Sequence, residues 1–424
     1  LDLHPKGWLP MTNSISMASI PTRVCVVGLG YIGLPTASLL ACSGYVVHGV
    51  DVSERIVNAI NQGEIPIDEP DLDSFVTAAV SRGNLKASLK PESSDVFILC
   101  VPTPFHPSSN PADPPKPNVD YVVSAAKAIA PYVKAGDMVI LESTSPVGTT
   151  LLVQKTLSDA GVDITGLSIA YCPERVLPGK IMTELVLNDR IIGGVTSEAT
   201  ERVKSFYETF VKGTVFGTDC KTAEMAKLVE NSFRDVNIAF ANELSMLCAE
   251  EGINVWELIE LANRHPRVKI LQPGAGVGGH CIAVDPWFIV DQNPELARII
   301  RTAREVNDSK QKWVTHQILS EANSMEAKLG RKANVACLGL AFKPDIADLR
   351  ESPALEIVHE LMEHGCNVVA VEPNIDTHSS IPLAQLSEAL DHSDIVAVLV
   401  KHRQFKGLDT TGKRVLDYCG LLVG

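Results

Sequence analysis

The stretch Arg23–Gly33, RVCVVGLGYIG, decides the fold of this 424-residue chain. It begins as an apolar strand and runs into G-x-G-x-x-G at Gly28, Gly30 and Gly33. A helical pattern follows up to Gly44, then a second apolar strand, YVVHGVD, ending at Asp51. Strand, glycine turn, helix, strand and terminal acid in this order predict a Rossmann unit. Its glycines permit the turn, the approach of a pyrophosphate and close helix packing, and the acid receives a ribose 2′-hydroxyl. An acid at that position favours NAD over NADP as cofactor.

Two later strands, DVFILCVPTP and DMVILESTSPVGT, end in Thr103 and Thr144, at the carboxyl edge where open parallel sheets bind ligands. Either threonine is a candidate to touch the cofactor or a reacting sugar. The proline-rich stretch between them, Pro102 to Pro117, reads as a rigid surface loop, because strand and helix signals resume on both sides. After Gly330 the opening pattern returns. VACLGLAFKP, NVVAVEP and SDIVAVLV repeat VCVVGLGYIG, YVVHGVD and SDVFILCV, with Pro344 where Gly33 stands. This predicts a second Rossmann-like domain that does not bind a dinucleotide as the first does. Lys343 in its turn is either a nucleotide-phosphate contact or a surface residue.

Between the two repeats, Thr222–Glu251 reads as one helix ending at Gly252, about 45 Å long. Met225, Leu228, Val236, Phe240, Leu244 and Leu247 mark its expected apolar face. Lys227, Asn231 and Arg234, at i, i+4 and i+7, project from one side, as a solvated face or as contacts for a sugar and its phosphates. Further helix from Trp256 and from Pro294 to Leu329 predicts an all-helical middle domain and a dimer core. The fold class is therefore α/β: two Rossmann-like doubly wound parallel-sheet domains joined by an all-helical middle domain with a long central helix. The expected boundaries are a tail at 1–20, a NAD-binding domain at 21–218, a helical domain at 219–330 and a C-terminal domain at 331–424. The tail shows no periodicity, and Met11 and Met17 are each candidate starts.

Pro273–Pro286, PGAGVGGHCIAVDP, places Cys281 at the end of a glycine run, with Asp285 four residues on. Glycines here let the backbone approach a ligand closely. Beside a dinucleotide fingerprint, such a thiol points to oxidation through a thiohemiacetal and a thioester, ending in an acid; the alternative is a small buried hydrophobe. A free thiol is only a few per cent ionised at pH 7, so His280 and Lys227 are candidates to favour the thiolate.

A formal charge of −14 argues against nucleic acid or an anionic membrane as partner. No apolar run approaches the ~18 residues of a membrane span, and the expected location is cytoplasmic. Ten cysteines without a CxxC pair fit reduced thiols rather than a disulfide framework or a zinc site.

Together GLGYIGLP, YCPERVLPG, KLVENSFRD, GVGGHC with its following Asp, and GLAFKPDIADLRESPA resemble the UDP-glucose/GDP-mannose dehydrogenase family, from about Thr22 to the C-terminal strands. UDP-glucose enzymes of that family typically carry a small residue and a Lys where this chain has His280 and Val284, which counts against glucose as substrate. The resemblance implies four-electron oxidation of the C6 hydroxyl of a UDP-amino-sugar to a carboxylate, using two NAD and one water, for surface polysaccharide. UDP-N-acetyl-D-mannosamine is the expected sugar and UDP-N-acetylglucosamine the alternative. A two-electron hydroxyacid dehydrogenase and a non-catalytic NAD sensor are the rival classes.

By the same resemblance Cys281 is the nucleophile, Lys227 stabilises the developing oxyanion or moves a proton, and Asn231 assists it. Asp285 and Glu174 handle the hydrolytic water. Arg175, Val176, Arg234, His265, Arg267, Gly278, Phe342 and Lys343 are implied substrate contacts, together with Lys227 and Asn231. Gly28, Gly30, Tyr31, Ile32, Gly33, Asp51, Thr103 and Thr144 form the implied NAD site, and Arg350 is an implied cofactor contact. A homodimer is the expected assembly.

Overall fold

The computed structural model describes residues 23–67, 69–107, 114–279 and 281–422. The expectations for the tail 1–20, for His280 and for part of the proline-rich loop lie outside these residues. The chain divides into two compact units that change over between Leu228 and Val229, within the helix Cys220–Glu251.

The first unit holds eight strands: β1 (Arg23–Val27), β2 (Val46–Val50), β3 (Leu85–Ser88), β4 (Val96–Leu99), β5 (Met138–Leu141), β6 (Ser168–Tyr171), β7 (Arg190–Gly194) and β8 (Val215–Asp219). Their order is β3-β2-β1-β4-β5-β6-β7-β8. β4 and β5 are uninterrupted apolar runs because both faces of the sheet are covered. On β1, Val24 and Val26 face one core with Leu34 and Phe206, while Cys25 and Val27 face the other with Val122 and Val153. The doubly wound sheet is thereby established, and its order reverses between β1 and β4, the switch point where such sheets bind ligands. One correction applies to the all-parallel expectation: β7 runs antiparallel to β6. The chain between them carries only the seven-residue helix Ile181–Leu187 and re-enters the sheet from the edge at which β6 ends.

The long helix starts at Cys220 rather than Thr222. Asp219 accepts the Thr222 N–H at 3.0 Å and the Thr222 hydroxyl at 2.6 Å, which is N-cap chemistry that the apolar periodicity did not reveal. The second long helix starts at Arg298 rather than Pro294, because the N–H groups of Leu296 and Ala297 both turn back onto the Asn293 carbonyl. No helix among the described residues is long and apolar enough to cross a membrane.

The expected apolar face of the first long helix is divided: Leu228 is buried and Leu244 packs on Cys248, Val255 and Ile259, whereas Phe240 and Leu247 are exposed. Within the second unit the helix buries Ser232, Asp235, Ala239 and Asn242, and it exposes Phe233 (71%), Phe240 (54%) and Leu247 (56%). The cause is a polar ladder to the helix Arg298–Leu329. Arg304 donates to Asp235 at 2.6 Å, Asn307 to Asp235 at 2.8 Å, and Asn242 to Asn307 at 2.9 Å. Lys310 donates to Ser245 at 2.7 Å, and burial pushes its pKa down to about 7. Small and polar residues match this seam, so Phe233, Phe240 and Leu247 face outward.

The second sheet comprises β9 (Asn334–Leu338), β10 (Asn367–Val371), β11 (Ile395–Val398) and β12 (Arg414–Asp417), all parallel, in the order β10-β9-β11-β12. The internal repeat extends to its hydrogen bonds. Gly28 N–H meets Val50 O at 2.7 Å and Gly339 N–H meets Val371 O at 2.8 Å; Leu29 donates to Asp51 at 3.0 Å and Leu340 to Glu372 at 2.7 Å. Glu372 differs from Asp51 in being sealed inside. It also receives the Ala341 N–H at 3.0 Å and lies 3.0 Å from His402 Nε2. This acid holds its own turn and is closed to a ribose.

Burial raises the Glu372 pKa, but His402 and the backbone N–H groups outweigh it, and the net direction is downward. Its stabilisation is therefore full above the unfolded value of about 4.3 and is lost as pH falls through the lower folded value. Glu372→Ala is expected to cost roughly 3 kcal/mol at pH 7, and the thermal melts of variant and wild type should draw together in acid.

Candidate active site

At the carboxyl edge of the first sheet the glycine turn has three distinct tasks. A Cβ on Gly33 would lie 1.8 Å from the Gly28 carbonyl oxygen, so helix and turn touch there. Gly28, at φ +92°, brings the turn against the Cys100 carbonyl. A Cβ on Gly30 would meet nothing within 4 Å, which leaves its backbone open to a ligand. The helix Gly33–Cys42 begins with Ile32 at its N-cap and has neither a capping side chain nor an acid in its first turn, as a pyrophosphate site requires. Asp51 accepts N–H groups from Leu29 at 3.0 Å and Ser53 at 2.9 Å and keeps a second lone pair on each oxygen for a ribose. Tyr31 is exposed in the turn, and Thr103 donates its hydroxyl to the Thr144 carbonyl at 2.5 Å, tying the ends of β4 and β5 together. These residues fit NAD.

Glu174, just beyond β6, is buried, and both of its oxygens are engaged. Oε1 accepts the Arg175 N–H at 2.6 Å and Oε2 accepts Arg190 Nη1 at 2.8 Å. The Arg175 side chain donates to the Asp189 carbonyl at 3.2 Å, and Val176 packs on the core. Glu224, fully buried on the long helix, accepts from Gly148 N–H, Thr150 N–H and the Thr150 hydroxyl at 2.6–2.7 Å. It caps the helix Thr149–Asp159, whose N-cap is Gly148, and so fixes the helical turn that carries Lys227. Lys227 is 8% exposed and makes no side-chain hydrogen bond among the described residues. Arg190, Glu224, Glu142 and Tyr207 escape sequence reading; for Glu142 the available signal was an acid two residues before Thr144 in a strand-end motif.

In the second unit the structure brings Asn231, Cys281 and Asp285 together. Asn231, one helical turn beyond Lys227, donates Nδ2 to Asp285 Oδ2 at 2.6 Å. Asp285 is buried and opens the helix Asp285–Gln292, and its N–H reaches the Cys281 carbonyl at 2.8 Å. Cys281 is exposed, which removes the buried-hydrophobe alternative. The loop before it is held by Asn242, which accepts the Gly274 N–H at 2.9 Å and so joins the loop to the polar ladder between the long helices.

The loop glycines also meet a packing constraint. A Cβ on Gly278 would lie 2.1 Å from the Glu351 carbonyl oxygen, and one on Gly279, at φ +86°, would lie 2.8 Å from the Phe342 ring. Their smallness is therefore required by packing against the segment 342–353. Arg234, His265, Arg267 and Lys343 are exposed. Arg350 is paired to Asp348 in a salt bridge of 2.5 Å. A cavity of about 810 Å³ lies in this unit, lined by Trp256, Arg264, Gly274, Phe342, Lys401 and Gly420 among others. Of the expected substrate contacts only Phe342 lines it, while Arg264 and Lys401 supply cations that sequence reading missed.

A NAD-fitted doubly wound domain, with an exposed cysteine and a hydrogen-bonded Asn–Asp pair in the second unit, defines a NAD-dependent oxidoreductase. The family models agree over most of the chain: the NAD binding domain of the UDP-glucose/GDP-mannose dehydrogenase family matches residues 22–211, its central domain 221–309 and its UDP binding domain 336–421. The chain belongs to the UDP-glucose/GDP-mannose dehydrogenase family. It is 53% identical over 414 residues to the UDP-N-acetyl-D-mannosamine dehydrogenase of Campylobacter jejuni, covering 94% of this chain and 99% of that one. It is also 53% identical over 401 residues to the NDP-N-acetyl-D-galactosaminuronic acid dehydrogenase of Ralstonia nicotianae, covering 91% and 92%. Among solved structures, the UDP-D-ManNAc dehydrogenase of Pyrococcus horikoshii superposes with a TM-score of 0.83 at 38% identity, over 94% of this chain and 96% of that one.

Proposed function

We propose that this protein oxidises UDP-N-acetyl-D-mannosamine at C6 to the uronate, supplying an aminuronic acid for surface polysaccharide. The reaction is R-CH2OH + 2 NAD⁺ + H2O → R-COO⁻ + 2 NADH + 3 H⁺, with Cys281 as the covalent catalyst. The observation that carries this reading is the exposed Cys281 four residues before the buried Asp285, which holds Asn231, in a chain 53% identical to enzymes named for this sugar. NAD, when bound, supplies the hydride acceptor, held by Gly30, Asp51, Thr103, Thr144 and the N-terminus of the helix Gly33–Cys42.

The remaining chemistry belongs to side chains. Lys227 places an ammonium where alkoxide charge develops at the sugar oxygen, and it is worth most when little water screens it. Cys281 adds as thiolate to the aldehyde carbon and holds it as a thiohemiacetal, so no aldehyde escapes; the second oxidation leaves a thioester. Asn231, fixed by Asp285, orients groups at that carbon. Glu174 accepts the proton of the hydrolytic water. The cavity bearing Arg264, Lys401 and Phe342 takes the nucleotide, its volume suiting a ligand of that size.

NADH formed per sugar consumed tests the whole reading. Two NADH from the manno substrate alone support it, and one NADH removes the thioester. Equal turnover of the gluco or galacto epimer, the latter motivated by the Ralstonia relative, changes the substrate and keeps the mechanism.

The same reading includes a homodimer. Phe233, Phe240 and Leu247 recur every seven residues, forming one exposed apolar stripe that a second copy would cover. Phe240→Glu is expected to shift the sedimenting species from dimer to monomer, and an unchanged sedimentation coefficient would remove this interface.

A further inference from the structure

The first unit holds a buried polar cluster that the catalytic reading leaves unused. Glu142, just after β5, is 2% exposed. Tyr207, at the end of the helix Ser197–Tyr207, donates its hydroxyl to Oε1 at 2.5 Å. Cys100, after β4, brings its thiol to 3.2 Å from Oε2, and Thr36 of the helix Gly33–Cys42 brings its hydroxyl to 3.3 Å. The Arg190 guanidinium stands 5.9 Å from the centre of the Tyr207 ring and holds Glu174 at 2.8 Å. Cys172, fully buried after β6, is a further titratable neighbour. The cluster therefore contains two carboxyls and one guanidinium, and with both carboxyls ionised it would hold an uncompensated negative charge away from water.

The partners decide which carboxyl carries the proton. Glu174 is bound by the Arg175 N–H and by Arg190, groups that only donate, so its acid form would leave them unmatched. The partners of Glu142 are two hydroxyls and a thiol, each able to accept as well as donate, so its acid form stays hydrogen-bonded. Burial, then the negative charge of Glu174, pushes the Glu142 pKa up, against the opposing pull of Arg190, Tyr207 and Cys100.

We propose that Glu142 is a protonated carboxylic acid in the resting enzyme at neutral pH, and that its ionisation strengthens Glu174 as the base of thioester hydrolysis. Glu142 touches no substrate; it acts through Glu174, and this second clause rests on the role proposed for Glu174 above. In the step it governs, water gives one proton to Glu174, its oxygen bonds to the acyl carbon, and the C–S bond breaks. The electron pair leaves with the Cys281 sulfur, which takes its proton back from Glu174 or remains a thiolate. A negative charge on Glu142 raises the proton affinity of Glu174, so hydrolysis should quicken as pH rises through the Glu142 ionisation.

The test uses Glu142→Gln in the full chain with NAD bound. The infrared difference spectrum of wild type minus variant at pH 7 should show the C=O stretch of one protonated carboxylic acid, and its absence overturns the proposal. Single-turnover decay of the Cys281 acyl adduct, followed by intact mass, should rise with pH in the wild type and stay level in Glu142→Gln. The expected gap at the alkaline end is about tenfold. A variant that follows the wild-type profile, or that slows equally at every pH, also overturns it. Tyr207→Phe removes a bond that favours ionised Glu142 and should move the wild-type rise to higher pH; an unmoved rise counts against the proposal even where Glu142→Gln folds poorly. If Glu174→Gln hydrolyses the adduct at the wild-type rate, the role of Glu174 fails, while the infrared band still decides the state of Glu142.

Discussion

Replacing Cys281 by alanine is expected to lower acid formation by on the order of 10⁴-fold or more, the loss typical when a covalent nucleophile is removed. Cys281 is exposed, at a turn closed by the Val284 and Asp285 N–H groups on its own carbonyl at 3.1 and 2.8 Å. The thiol contributes little to the core, so the loss should leave the melting temperature nearly unchanged. The first oxidation needs no thiol. The variant should therefore form at most one NADH per sugar and release aldehyde, trapped by a hydrazine. Full acid production by Cys281→Ala would sink the thioester mechanism, because both oxidations would then proceed without the thiol, as through the hydrated aldehyde.

The second large effect is expected at Lys227. Its ammonium lies on the long helix at 8% exposure, with no side-chain hydrogen bond among the described residues. One turn earlier Glu224 clamps the helix to the turn that follows Thr144, and one turn later Asn231 is held by Asp285. A cation fixed on both sides and poorly hydrated stabilises developing alkoxide charge far better than one in bulk water. Lys227→Met keeps the length of the stem and removes the charge. It should reduce kcat by roughly 10²- to 10⁴-fold while KM changes much less, since the interaction is made chiefly in the transition state. A rise in KM at constant kcat would instead make Lys227 a ground-state sugar contact.

Both experiments concern residues that a motif could reveal. Gly28, Gly30, Gly33 and Asp51 were legible because a Rossmann turn is a local device. Its helix, strands and acid lie within about thirty residues, and each glycine answers a constraint imposed by near neighbours. The repeat after Gly330 was legible for the same reason, including Pro344 as the sign of a turn that has lost its dinucleotide. Helix existence was equally local, whereas the starts at Cys220 and Arg298 depended on Asp219 and on the turn at Asn293, which periodicity does not report.

The face of the long helix was read correctly at Leu228 and Leu244 and missed at Phe240 and Leu247, because periodicity shows where apolar residues recur, and not what covers them. Asp235, Asn242 and Ser245 look like a solvent side until Arg304, Asn307 and Lys310, some sixty-five residues away, complete them. Gly278 and Gly279 read as a ligand cradle, and Glu351 and Phe342 add a packing demand that the local pattern does not show. Glu142 and Glu174 look alike as acids after strands. Only their partners, hydroxyls and a thiol for one and an arginine for the other, tell them apart.

By itself the sequence determined the two Rossmann-like repeats, the long helices, the NAD turn and the family to which the chain belongs, since these depend on side-chain type at short, fixed spacing. Tertiary structure alone decided which face of the long helix is buried, which glycines pack and which partners hold each buried carboxyl. Those properties are set by desolvation and by hydrogen-bond partners distant in the chain, and no local pattern encodes either.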